Sequence, residues 1–86
     1  MNPYTEDTQD GYIIREFDSN IPNEELVWHR DEKDRIVEVI EGSGWRFQMD
    51  NRLPIELKEG MILLIPKETY HRIGKGNTKL VIKIKE

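Results

Sequence analysis

From Gly11 to the C-terminus, short apolar runs alternate with clusters of Gly, Asn, Asp and Pro. Trp45, Phe47 and Met49 are interleaved with Arg46, Gln48 and Asp50, and Leu80, Ile82 and Ile84 with Lys83 and Lys85. A period of two places each set on one face of a strand. The same reading predicts strands over Tyr12 to Phe17, Glu25 to Arg30, Arg35 to Glu41, Trp45 to Met49, Ile55 to Leu57, Met61 to Ile65 and Thr69 to Ile73, with a last one through Leu80, Ile82 and Ile84. Eight short strands with turn residues between them predict an all-β sandwich or barrel. Met1 to Asp10 is polar, carries Pro3 and shows no period, so residues 1–10 are expected to form an arm and residues 11–86 the single domain.

Two segments break the alternation. Ile36, Val37, Val39 and Ile40 are apolar on both faces, and so is the run Met61 to Ile65. Antiparallel strands of this kind are covered on both sides. The expected cover is a second copy of the chain, the alternative being the N-terminal arm. The length of 86 residues points the same way, because so small a domain buries only about 60–65% of its unfolded surface and gains from association.

Composition supports the strand reading. Alanine is absent, while Ile, Val and Thr number 19; β-branched residues suit a pleated surface, and alanine is the best helix former. Cysteine is absent, which excludes disulfides and thiolate metal sites. The net charge of −4 argues against a nucleic-acid module. No apolar stretch approaches the 18 or so residues of a membrane helix, and no leader is evident. A cytoplasmic protein without nucleic-acid or membrane partners is therefore expected.

The candidate chemistry lies around two histidines, His29 and His71, far apart in sequence. His29 and Asp31 share a strand face. Two imidazoles and a carboxylate form a donor set suited to Fe, Mn or Zn as divalent ions. The alternative is two unremarkable surface histidines.

Spacing favours the site. His29-x-Asp31 is followed by three residues, Arg35, six residues and Gly42. Later come Gly60, five residues, Pro66, one residue, Glu68, two residues and His71. From about Glu25 to its end the chain resembles a small single-domain cupin, whose first motif runs His-x-His, three or four residues, Glu, six residues, Gly. The second runs Gly, five residues, Pro-x-Gly, two residues, His, three residues, Asn. The resemblance implies a double-stranded β-helix, or jelly-roll barrel, with an internal pocket that often holds a metal (nickel among them) and often in a dimer.

The departures fall on the chemistry. Asp31 stands where the motif has its second histidine, Arg35 where it has glutamate, Glu68 where it has glycine and Lys75 where it has asparagine. Two readings follow. In one, His29, Asp31 and His71 hold a divalent metal, with Arg35 turned aside to meet an anionic ligand. In the other, Arg35 and Asp31 form an ion pair in place of the metal, and the pocket is a metal-free ligand site or part of a dimeric structural domain. Gln48 is a further candidate ligand residue if it turns inward; if Trp45, Phe47 and Met49 fill the interior, it points out. Trp28, Tyr70 and Arg72 neighbour the histidines and face the other way. The enzyme reading depends on the metal, because no general base stands at a useful spacing beyond the histidines.

Overall fold

Tyr4–Gln9 (β1) and Tyr12–Phe17 (β2) form an antiparallel hairpin around Asp10-Gly11, with Gly11 at a φ of 81° that a Cβ would oppose. The computed structural model describes residues 4–21 and 26–86. The strands that follow are Arg35–Glu41 (β3), Arg46–Met49 (β4), Ile55–Glu56 (β5), Ile62–Ile65 (β6), His71–Gly74 (β7) and Leu80–Lys85 (β8). They build a five-stranded sheet in the order β1-β2-β8-β3-β6 and a three-stranded sheet in the order β5-β4-β7, all pairings antiparallel. Among the described residues there is no helix.

The core is where strand alternation places it. Leu80, Ile82 and Ile84 of β8 and Val37 and Val39 of β3 are buried from the five-stranded sheet. Phe47 of β4, the neighbouring Trp45 and Leu57 come from the other side. Trp45 has no exposed surface, and its indole Nε1 donates to the Thr78 carbonyl at 2.6 Å. Gly76 is confined by this ring, since a Cβ there would come within 2.3 Å of Trp45 Cδ1.

Three sequence expectations are corrected. Tyr4–Gln9 is a strand rather than a free arm: β1 pairs with β2 along its whole length, but only Tyr4 is partly buried, so its backbone is held while its side chains leave no apolar signal. The expected strand from Glu25 to Arg30 is reduced, within the described residues 26–30, to a single bridge at His29; Glu25 and the Pro22-Asn23 turn lie outside the described residues. The described part of the arm, Tyr4–Gln9, does not cover the apolar strands either. β1 and β6 are opposite edges of one sheet, and Ile62 and Leu64 are 64% and 68% exposed.

Candidate metal and ligand site

His29 and His71 meet through the backbone. The His29 amide donates to the His71 carbonyl at 3.0 Å and the His71 amide to the His29 carbonyl at 2.8 Å, an antiparallel bridge on the edge of β7 away from β4. The bridge puts both side chains on the inner face with ring centroids 4.4 Å apart. Each ring is then fixed in the same way. His29 Nδ1 lies 3.0 Å from the Val27 carbonyl and His71 Nδ1 2.8 Å from that of Thr69. A carbonyl can only accept, so each Nδ1 carries the proton and each Nε2 presents its lone pair, the arrangement that orients metal-binding histidines.

Asp31 completes the group by alternation. Its carbonyl accepts from the Glu68 amide at 2.7 Å, and the Lys67 amide donates to Asp34 Oδ1 at 2.8 Å; the two bonds clasp the loop after His29 to the turn before His71. Asp31 Oδ2 stands 3.4 Å from His71 Nε2, and it is buried with no hydrogen-bond partner. A ligand atom from each of His29, Asp31 and His71 lies within 4.8 Å of the others. Bonds of about 2.0–2.2 Å require a slightly tighter cluster, and His29, which is exposed, has room to move.

Burial pushes the His71 imidazole below its ordinary 6.5; His29 and Arg35 add to the effect, while the Thr69 hydrogen bond and Asp31 oppose it. The neutral ring is thus favoured in the folded state. In metal-free protein this contribution is complete above pH 6.5 and is lost as pH falls from there towards the lowered folded value, where the unfolded chain binds the extra proton. Urea midpoints should therefore fall as pH drops through this window, and His71→Gln should flatten the fall.

Arg35 is where the sequence places it, beside the histidines, but its strongest partner is one that sequence reasoning missed. Arg35 Nε donates to Glu86 Oε2 at 2.9 Å, whereas Nη1 lies 3.3 Å from Asp31 Oδ1. Continuing the inward row Leu80, Ile82, Ile84 by two residues reaches Glu86, so β8's alternation held the signal. With neutral histidines, Asp31 and Glu86 outweigh Arg35 by one negative charge. The repulsion expected of a guanidinium beside a cation is thereby offset.

Gln48 is not brought to this site. It lies on the opposite face of β4, where its Oε1 accepts from Arg72 Nε at 3.0 Å and its Nε2 donates to the Arg52 carbonyl at 2.9 Å. Phe47 takes the inward place, as apolar alternation demands. Trp28 and Tyr70 also face away from the histidines; Arg72 lies over the first ring and Arg30 over the second. Glu68 keeps a φ of 60°, the left-handed conformation that suits the glycine of the cupin motif. Glu68→Gly should therefore stabilise the fold by about 0.5 kcal/mol, the strain relieved less the backbone entropy added. A thermal midpoint higher by about 2–4 °C is the expected reading.

The group opens into a cavity of about 340 Å³ between the two sheets, walled mostly by apolar residues such as Val37, Phe47, Ile65 and Ile82. Arg15 also lines it, and the sequence reading passed it over.

No family model and no curated protein matches the sequence. Solved structures do match. A cupin-like protein from Thermotoga maritima superposes with a TM-score of 0.71 at 21% identity, over 95% of this chain and 65% of that one. A cupin-2 domain containing protein from Shewanella frigidimarina gives 0.64 at 18% identity, over 95% and 78%. The Fe(II) form of HppE in complex with substrate gives 0.68 at 10% identity, over 96% of this chain and 52% of that one. The chain thus spans about half of that iron protein and about two thirds of the Thermotoga one. These likenesses show that the fold is that of the cupins.

Proposed function

We propose that this chain, a cupin by fold, closes its two sheets into a jelly-roll barrel whose pocket holds a divalent metal on His29, Asp31 and His71. The observation that carries the reading is the facing pair of lone pairs. His71 Nε2 and the unpartnered Asp31 Oδ2 are aimed at one another across 3.4 Å, with the ring's proton already committed to Thr69. Two buried acceptors in that position call for a cation between them. The Fe(II) neighbour supports the reading as an example of the fold carrying a metal.

A divalent Fe, Mn, Zn or Ni ion would supply Lewis acidity, and a redox-active one redox chemistry, with positions left open by three protein ligands. The chain's own residues do the rest. The Val27 and Thr69 carbonyls hold the two imidazoles in the ligating tautomer. Glu86 draws Arg35 aside and leaves its remaining N–H groups for a small anionic ligand. The apolar walls limit water. Adding a metal to chelator-treated protein at a hundred times its dissociation constant should stabilise the fold by about 2.7 kcal/mol. The thermal midpoint should rise by about 10 °C or more; no rise with any of the four ions would count against the site.

The metal-free reading has the Arg35–Asp31 contact at 3.3 Å in its favour. It predicts that Arg35→Met strands Asp31 and destabilises the protein whatever the metal. The metal reading predicts tighter metal binding in the same variant, because a positive charge has gone.

The chain also works as a homodimer in this proposal. Ile36, Ile62 and Leu64 form an exposed apolar patch on neighbouring strands at the free edge of the larger sheet, and a small core gains from covering it. Sedimentation equilibrium should give twice the 10.2 kDa chain mass, and Leu64→Lys should return it to monomer. A wild-type monomer at high concentration would refute the dimer.

A further inference from the structure

One charge interrupts the inward row of β2. Ile13, Arg15 and Phe17 share the face that looks between the sheets, and Arg15 is level with the buried Ile82 of β8. The arginine is only 12% exposed, and its guanidinium lies 4.0 Å from the centre of the Tyr4 ring. Its Nε and Nη2 donate to a single oxygen of Glu6, at 2.8 and 2.6 Å. Glu6 stands directly across the β1–β2 ladder and is 37% exposed. This pairing explains how the charge is tolerated without explaining why it is there. Apolar replacements for such half-buried pairs are often neutral or stabilising, and the inward position would suit one. A guanidinium has five N–H donors, of which Glu6 engages two.

Arg15 opens onto the same cavity as His29, Asp31 and His71, but at a distance from them. Arg15 is level with Val39, four residues along β3 from Arg35 and two strands away. At about 3.3 Å per residue and 4.8 Å per strand, that is about 13 Å along the sheet and about 10 Å across it. The surface between the two arginines is formed by Val37, Ile82 and Ile84. The cavity is therefore charged at two places and apolar between them.

We propose that Arg15 binds the carboxylate of an elongated amphiphilic acid, whose hydrocarbon body lies along this apolar floor and whose far end reaches the His29–Asp31–His71 group. The assignment rests on the pocket proposed above and names the class of its ligand: medium-chain carboxylic acids rather than two- or three-carbon ones. Glu6 acts as a stand-in carboxylate at the rim, and the ligand competes with it for the guanidinium. A residue that serves only to neutralise Arg15 would have no such effect on binding.

Titration calorimetry with octanoate as the probe, and with octanol and acetate for comparison, separates the possibilities. Chelator-treated protein removes the metal from the experiment. Wild type should bind octanoate at least tenfold more tightly than octanol or acetate. Arg15→Gln should lose that preference, and Glu6→Gln should bind octanoate several-fold more tightly than wild type. Equal binding of octanoate and octanol, no octanoate binding, or Glu6→Gln with unchanged affinity would each overturn the assignment. Should Arg15→Gln fail to fold, the Glu6→Gln comparison decides alone. Metal content measured on the same variants keeps the two ideas apart: wild-type metal with no carboxylate preference defeats the Arg15 site and leaves the metal site standing.

Discussion

Trp45→Ala should cost about 3–5 kcal/mol, the range for deleting a buried tryptophan. A domain of this size has about 4–13 kcal/mol in all, at 0.05–0.15 kcal/mol per residue. The indole is fully buried against Phe17, at 5.9 Å between ring centroids, and fills the space that Gly76 leaves open. Its loss also leaves the Thr78 carbonyl without its indole donor. Neighbouring segments depend on it too, since the Leu57 amide donates to the Trp45 carbonyl and the Asn77 amide to that of Ser43. Urea unfolding followed by circular dichroism should show a midpoint shifted far towards zero, and Trp45→Phe should recover part of the loss. An unfolding free energy within about 1 kcal/mol of wild type would mean that the two sheets do not share this residue as their common core.

His29→Ala should lower metal affinity by at least about 100-fold, more than the 10–100-fold typical of losing an outer-shell partner. The same change should leave the metal-free protein within about 1 kcal/mol of wild type, because His29 is exposed and surface changes cost little. His71→Ala should lose the metal and also destabilise the metal-free protein, because that residue is 4% exposed and its ring packs on Phe47 at 5.7 Å. The contrast between the two histidines follows from burial alone. Thermal melts with and without metal check it: the metal-induced rise should vanish in both variants, and the metal-free midpoint should fall only in His71→Ala.

Much of this arrangement is legible in the sequence, for reasons that can be named. β2 and β3 are found where the pattern places them because Gly, Asn and Asp turns bound runs with a clear inner face. Gly42 and Gly60, which anchor the spacing, adopt φ values of 151° and 90°, so the motif reads a backbone requirement as well as a sequence. β1 escapes notice because a hairpin edge strand is held by backbone hydrogen bonds and needs no apolar face. The segment around His29 is over-read as a strand because alternating residues suit a single bridge as well as a ladder. At the site, His29, Asp31 and His71 are brought together as their spacing implies. Glu86 and Arg15 are missed because each is a charge on an inward row, and the rule that charges point outward hides them. Gln48 shows the same rule working correctly, since its apolar neighbour Phe47 takes the inside.

Elemental analysis of the purified chain, wild type beside His29→Ala, tests the metal site most directly. The account predicts close to one divalent ion per chain in the wild type and a small fraction of that in the variant, with both proteins folded. Equal metal content in the two, or none in a wild-type protein supplied with Fe, Mn, Zn and Ni, would contradict it.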